Sequence, residues 1–95
     1  MHAAAVRVEL RLSDVRSLKT KRAILRPIIR RLKAMELSVS EVNHQDAWQR
    51  ATLGVAVVAP QAGRVDEIVA LVQRSLLDDP TIEVIEMDVT HMEVP

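Results

Sequence analysis

The chain opens with an alternation of apolar and charged residues that is typical of a half-buried strand. Apolar residues occupy positions 6, 8, 10 and 12, with charged residues at 7, 9 and 11, and a strand places successive side chains on opposite faces. From Leu18 to Met35 the apolar positions instead recur every three or four residues, which predicts an amphipathic helix. Ser17 is its predicted N-cap. Pro27 inside the helix removes one backbone hydrogen bond and predicts a kink or local distortion.

The rest of the chain contains two short strands, a second helix and a last strand. Residues 37–42 are a predicted strand, and the almost wholly apolar residues 51–59 are typical of a central strand covered on both faces. The second helix is predicted from Val65 to Leu76, with two acidic residues, Asp66 and Glu67, in its first turn. In the last strand the apolar positions change phase, which predicts a β-bulge.

The order of these elements is β-α-β-β-α-β, which predicts an α+β fold of the ferredoxin-like class. We expect a four-stranded antiparallel sheet with both helices on one face, formed by a single domain over residues 1–95. Gly54, within the third strand, predicts a bulge or a close backbone approach. The uncovered face of the sheet would combine charged residues of the first strand with small or apolar residues of the third. A second copy of the chain often closes such a face.

Composition narrows the classes of function. The 95 residues are 48% hydrophobic and 27% charged, and they include no cysteine, which excludes disulfides, thiolate chemistry and cysteine-bound zinc. The first residues lack the pattern of a signal peptide, and no apolar stretch is long enough to cross a membrane. We therefore expect a cytoplasmic protein without a membrane partner and without a cofactor.

The net charge of zero hides a strong segregation of charge along the chain. Residues 1–33 contain ten lysines and arginines against Glu9 and Asp14, whereas the six charged residues from Asp78 onward are all carboxylates. Such asymmetry can provide a basic face for a polyanion. It can equally be neutralised internally, with basic and acidic elements pairing inside one molecule or across a dimer.

The first helix carries the main candidate site. Its first turn has three cations and no carboxylate, although each cation near a helix N-terminus costs about 0.3–1 kcal/mol, and free N–H groups with cations are suited to hold an anion. Further cations at spacings of three and four residues form one stripe along the helix. This stripe either tracks a phosphate backbone or is an ordinary solvated face. The predicted anion- or RNA-binding residues are Ser17, Lys19, Lys21, Arg22, Arg26, Arg30 and Lys33. Lys21 points nearer the apolar side, where an acidic partner strand or a ligand would meet it.

The turn after the second strand carries a second candidate, a partner or stacking surface made of His44, Asp46, Trp48 and Arg50. A histidine near a carboxylate can act in acid–base chemistry, but this pair supplies too few ligands for a metal ion. The structural alternative is that Asp46 caps the turn and that Trp48 packs over the hairpin with its N–H bonded. Arg50 would stack on a base or close a dimer contact. The chain has no nucleophile elbow and no glycine-rich phosphate loop, so we assign no catalytic residue and no metal ligand.

Two segments, SLKTKR at residues 17–22 and EVNHQDAWQRATLGVA at residues 41–56, closely resemble the YlxP-like family of small uncharacterised bacterial proteins. The resemblance extends over essentially the whole chain and implies a ferredoxin-like fold. The family has no established biochemical function. Its members are often encoded near translation and ribosome-maturation factors, which implies RNA or a ribosomal particle as a partner.

These observations lead to a main hypothesis and to its competitors. The first is a non-enzymatic, homodimeric accessory protein that contacts RNA or a ribosomal particle through the first helix. The alternative is a homodimeric protein-interaction or small-anion-binding module with no affinity for nucleic acid. An enzyme using His44 and Asp46 is a third hypothesis. Because the first and third strands carry no aromatic residue, base stacking on the sheet, as in RRM domains, is not expected.

Overall fold

The computed structural model describes residues 1–95 and confirms the predicted order of elements. The strands and helices are β1 (His2–Arg11), α1 (Leu18–Lys33), β2 (Ser38–Asn43), β3 (Arg50–Ala59), α2 (Ala62–Leu77) and β4 (Glu83–Glu93). The strands form one sheet in the order β2-β3-β1-β4, and every neighbouring pair is antiparallel. This is the ferredoxin-like arrangement predicted from the sequence.

The core lies between the sheet and the two helices. In the central pair of strands Val6 faces Val55 and Val8 faces Leu53, and these side chains belong to a cluster of 19 buried hydrophobic residues that includes positions from both helices. The apolar positions of β1 therefore form the face of the sheet that the helices cover. We call the other face of the sheet, which no helix covers, the open face. Neither helix is long and apolar enough to cross a membrane.

The first helix begins where the sequence predicts. The Ser17 hydroxyl accepts a hydrogen bond from the Thr20 N–H at 3.1 Å, as an N-cap does, and the first turn contains no acidic residue. The helix continues through Pro27 to Lys33. It buries Leu25, Ile28 and Leu32 at intervals of three and four residues.

The second helix begins earlier than predicted. It starts at Ala62, so its first turn contains no acidic residue, and the prediction that Asp66 and Glu67 lie in that turn is wrong. The Val65 N–H donates to the Gln61 carbonyl at 3.3 Å, which closes an additional turn before the apolar periodicity begins. Neither helix therefore compensates its N-terminal dipole with a carboxylate in its first turn.

Two irregularities of the sheet follow the sequence. The register between β1 and β4 shifts between Glu9 and Leu10, which leaves Ile85 as the extra residue of a β-bulge in β4. Gly54 lies at a close approach, because a Cβ atom there would be 2.9 Å from Cγ1 of Val42. The expectation that β3 is covered on both faces is wrong at its end, where the side chain of Val58 is 61% exposed on the open face.

Candidate nucleic-acid interface

Five cations run along the outer surface of α1. They are Lys19, Arg22, Arg26, Arg30 and Lys33, which we call the cation stripe, and all are exposed. With a rise of 1.5 Å and a rotation of 100° per residue, they span about 21 Å and stay within an arc of about 80°. The salt bridges of α1 involve only two other cations, Lys21 and Arg31. The stripe is therefore a row of positive charge with no intramolecular carboxylate partner.

Three of the four acidic residues of β4 pair with arginines of the sheet and not with α1. The Arg7 guanidinium bonds Asp88 and lies 3.9 Å from Glu86, and Arg11 lies 3.6 Å from Glu83. The hydrogen bond and the charge of Asp88 raise the pKa of Arg7 above its usual value. These pairs lie on the open face and at its end, whereas α1 covers the opposite face. Internal neutralisation, one of the two predicted outcomes, thus applies to the arginines of β1 and leaves the cation stripe unpaired.

Lys21 does not belong to the exposed row. It is 1% exposed, and its ammonium group lies 2.6 Å from the His44 carbonyl, 2.7 Å from the Ala47 carbonyl and 2.8 Å from Oε2 of Glu41. Two of the three donors of the ammonium group bond these carbonyls, and its charge is paired with the Glu41 carboxylate. The prediction that Lys21 binds an external anion is therefore wrong, and of the two predicted partners it meets the acidic residue of a neighbouring strand. Ser17 keeps its place at the helix start, half-buried, with its hydroxyl also bonded to Oγ1 of Thr20 at 3.0 Å.

The loop between β2 and β3, residues 44–49, is anchored on its other side by Glu9. This carboxylate belongs to the open face, yet its side chain is only 9% exposed. The Thr52 hydroxyl donates to the Glu9 carboxylate and lies 2.9 Å from both of its oxygens, and the Arg7 guanidinium donates to the same carboxylate at 3.0 Å. Arg50 and His44, at the two ends of the loop, approach it to 3.7 and 3.8 Å. We call these five residues the Glu9 cluster.

The structure corrects the predicted roles of two loop residues. Asp46 is exposed and accepts no hydrogen bond in the loop; the Asn43 side chain instead accepts from the His44 N–H at 2.9 Å, with the backbone of His44 at a positive φ of 60°. Trp48 is 51% exposed, so about half of the residue lies in solvent, and its indole N–H donates no hydrogen bond within the chain. The large apolar ring is therefore free for an external contact.

The sequence interpretation missed two residues of this region, Glu9 and Thr52. Both occupy the open face, and they face each other directly in the register of β1 and β3. A carboxylate opposite a threonine is the available signal, but it becomes visible only once the strand register is known. The carboxylate nearest His44 is thus Glu9, and the predicted pairing of His44 with Asp46 is absent from the hydrogen bonds and salt bridges. No three His, Asp or Glu side chains lie close enough to share a metal ion.

The far end of the open face has a different character. Beside the Arg7–Asp88 pair, which forms part of its wall, a shallow groove of about 480 Å³ is lined mostly by small and apolar residues, among them Gly54 and Ala56. Val42, Val58 and Met92 are exposed here, the last two at 61% each. This end has no excess of cations, so it differs in chemistry from the cation stripe.

Comparisons with known proteins add a family and a fold. The family model described as "Protein of unknown function (DUF503)" matches residues 3–89. The "Uncharacterized protein YlxP" of Bacillus subtilis (strain 168) is 35% identical over 71 residues, which cover 74% of this chain and 77% of that protein. Among solved structures, a de novo designed protein with a ferredoxin fold, determined by solution NMR, aligns with a TM-score of 0.59 at 16% identity. That alignment covers 100% of this chain and 89% of the designed one. At this identity the likeness concerns the fold alone.

Proposed function

We propose that this chain, which belongs to the DUF503 family of proteins of unknown function, is a non-enzymatic accessory protein that binds structured RNA, free or within a ribosomal particle. Its resemblance to YlxP-like proteins predicted the family. Because the family has no assigned activity, the function is argued from the surface of the chain. The binding surface is the cation stripe of α1. One observation carries this proposal: five exposed cations in a row have no carboxylate partner, although the chain has as many acidic as basic residues.

The geometry of the stripe suits a phosphate backbone better than a single small anion. Successive cations are separated by three or four residues, which is about 4.5–6 Å along the helix axis. A small anion contacts one or two of them, whereas a nucleic-acid strand contacts the whole row. Lysine and arginine that neutralise phosphates release condensed counterions, which supplies most of the sequence-independent affinity.

The opposite side of the molecule is unsuited to phosphate. Each arginine of the open face, Arg7, Arg11 and Arg50, already lies within 4 Å of a carboxylate, and further carboxylates in β4 would repel a polyanion. The strands also lack aromatic side chains for base stacking. A polyanion would therefore approach from the helix side, where charge and shape recognise RNA without reading bases on the sheet.

A titration at several salt concentrations tests this proposal. The intact protein is added to a labelled RNA hairpin, and fluorescence anisotropy gives the affinity. Five phosphate contacts predict a slope of log K against log[salt] of about −4, a loss of roughly two orders of magnitude between about 50 and about 200 mM salt. An affinity that ignores salt, or no binding at about 50 mM, would overturn the proposal. A rise in Tm with inorganic phosphate and no RNA binding would support the small-anion alternative instead.

A second candidate function, a homodimeric interaction module, is favoured by the exposed apolar end of the open face. Val58 and Met92 are each 61% exposed there, and the small residues around Gly54 would let a second sheet approach closely. Sedimentation equilibrium of the intact chain tests this candidate. A dimer that Val58→Lys converts to a monomer supports it, and a wild-type monomer at micromolar concentration contradicts it.

A further inference from the structure

We propose that Trp48 stacks on an unpaired base at the end of an RNA helix whose backbone lies along the cation stripe. This inference rests on the proposed function and deepens it, because it names the class of RNA: a duplex that continues into a single strand. The loop that carries Trp48 would read the junction, while α1 would hold the duplex.

The first observation is that the loop is anchored from both sides of the sheet. On the helix side, the buried Lys21 binds two of its carbonyl groups, those of His44 and Ala47. On the open face, Glu9 lies within 4 Å of the side chains at the ends of the loop, His44 and Arg50. Two largely buried charged groups on one six-residue loop restrict its motion, and a restricted loop loses less conformational entropy on binding.

The second observation is that the anchored loop leaves its one large apolar group outside. Trp48 is the only aromatic residue of the chain, and half of its side chain is exposed without a hydrogen bond to its N–H. Exposed tryptophan in a rigid setting is typical of binding hot spots. An aromatic ring accepts any nucleobase, because every base has a π-face.

The third observation is that the loop lies at the N-terminal end of α1, where the stripe begins. The Lys21 ammonium is 2.7 Å from the carbonyl oxygen of Ala47, so the backbone nitrogen of Trp48 lies within about 5 Å of that ammonium by standard peptide dimensions. Lys19 and Arg22, the first cations of the stripe, belong to the same turn of the helix as Lys21, and at 100° per residue Arg22 lies about 100° and Lys19 about 160° around the helix axis from it. An RNA strand that leaves the N-terminal end of the stripe would reach the loop by passing over this first turn on the side of Arg22.

The charges of this end favour RNA over an apolar protein pocket as the partner of Trp48. Arg16, Lys19 and Arg22 are exposed and have no carboxylate partner. Of the carboxylates near the loop, Glu41 is held by Lys21, and the exposed Asp46 is outnumbered by these three cations. An apolar pocket would gain nothing from three unpaired cations beside it. A stacked base brings phosphates to those cations, and arginine adds attraction to the base itself.

Two RNAs test the inference: a blunt-ended hairpin, and the same hairpin with a short single-stranded extension. Because Trp48 is the only tryptophan and the chain has no tyrosine, intrinsic fluorescence reports on this residue alone. We expect the extended RNA to bind about tenfold more tightly than the blunt one and to quench the tryptophan fluorescence, since base–aromatic stacking supplies gains of this order. Both RNAs should show similar salt slopes.

Substitution of the ring provides the control. Trp48→Leu should abolish the preference for the extension and leave the affinity for the blunt hairpin and its salt slope unchanged, while Trp48→Phe should keep part of the preference. Leu77→Ala, which truncates another exposed apolar side chain, at the last position of α2, should change the affinity for neither RNA.

Failure of this inference can be distinguished from failure of the proposed function. If both RNAs bind equally and with salt dependence, and Trp48→Leu changes neither affinity, the stacking role of Trp48 is wrong, while RNA binding by the cation stripe is still supported. If neither RNA binds at about 50 mM salt, the proposed function itself fails, and this inference with it.

Discussion

The cations of α1 and the arginines of the sheet differ in what surrounds them. Arg7 and Arg11 of β1 face carboxylates of β4, and Arg50 of β3 lies 3.7 Å from Glu9. The cation stripe has no such partner. Both groups come from a chain with equal numbers of acidic and basic residues, so the difference reflects where the fold places them and not how many there are.

The reason is topological. β4 pairs with β1 at the centre of the sheet, and its acidic side chains project to the open face beside the arginines of β1. The cation stripe lies on a helix that covers the other face, beyond the core. Charge segregation along the sequence therefore produces one neutralised surface and one surface that stays positive. Ion pairs between exposed groups contribute little to stability, so leaving this surface unpaired lowers the free energy of unfolding only slightly.

The largest effect is expected inside α1, where one cation is paired and its neighbours are not. Lys21→Met leaves the Glu41 carboxylate and two loop carbonyls without their donor. Breaking a buried ion pair costs 3–5 kcal/mol, and since Glu41 is partly exposed, 22% by side chain, we expect a loss of about 3 kcal/mol in the free energy of unfolding. Urea unfolding followed by circular dichroism measures it.

The matched control is Lys19→Met, which alters an exposed cation two residues away. It should change the free energy of unfolding by less than about 0.5 kcal/mol. Equal urea midpoints for the two variants would mean that Lys21 does not hold the loop as its contacts indicate.

The second prediction compares the two helices as RNA-binding surfaces. Arg26→Gln with Arg30→Gln removes two cations from the stripe, and Arg64→Gln with Arg74→Gln removes two from α2, so both variants have the same net charge. We expect the first pair to weaken RNA binding about tenfold or more and to reduce the salt slope by about 2. Anisotropy titrations should show a much smaller effect for the second pair. Equal losses would show that net charge, and not the stripe, governs binding.

The third prediction tests the neutralised surface of the sheet. Thr52→Val removes the hydroxyl that lies 2.9 Å from both oxygens of Glu9, while Arg7 continues to donate to the same carboxylate. We expect a loss of about 1 kcal/mol in the free energy of unfolding, measured by urea titration. Thr90→Val, at an exposed position of β4, is the control and should lie within about 0.5 kcal/mol of the wild type. An unchanged midpoint for Thr52→Val would indicate that the Glu9 cluster adds no stability.

The smallest effect concerns Arg31, the other paired cation of α1, which lies 3.1 Å from Asp79. Burial of the Asp79 carboxylate opposes ionisation, but hydrogen bonds from Thr81 and Arg31 outweigh it and hold the pKa of Asp79 below its ordinary value of 3.8. A depressed pKa in the folded state means that this stabilisation is fully present above about pH 4 and is lost as the pH falls through the folded value.

Thermal unfolding between about pH 2 and about pH 7 checks this sign. Asp79→Asn should lower Tm at neutral pH and flatten the acid limb of the profile, while Asp78→Asn, an exposed neighbour, should retain the wild-type profile. If the Tm difference between Asp79→Asn and wild type stays constant down to about pH 2, the ionised Asp79 carboxylate does not stabilise the folded state.

Much of the fold was predictable because its signals are local. The alternation in β1, the cap at Ser17, the phase change in β4 and the close approach at Gly54 all follow from short-range patterns, and the structure confirms each. The start of α2 was not predictable in the same way. Its first turn, from Ala62, carries no apolar periodicity, and only its backbone hydrogen bond to Gln61 extends the helix back.

The candidate site was also predictable only where its signals are local. The cation stripe follows from spacing within one helix, so its members could be named from the sequence. The burial of Lys21, the exposure of Trp48 and the convergence on Glu9 each depend on residues far apart in the chain. A pattern over a few neighbouring residues does not predict such long-range contacts.

The amino-acid sequence by itself determined the elements, their order and the positive row on α1, because backbone propensity and side-chain periodicity act over a few residues. Only the tertiary structure decided which charges are neutralised and which remain available. That outcome depends on the face of the sheet to which each side chain projects, and strand pairing between β1, β3 and β4 sets it. The same pairing turns one lysine of α1 into a buried anchor of the loop and leaves the tryptophan of that loop in solvent.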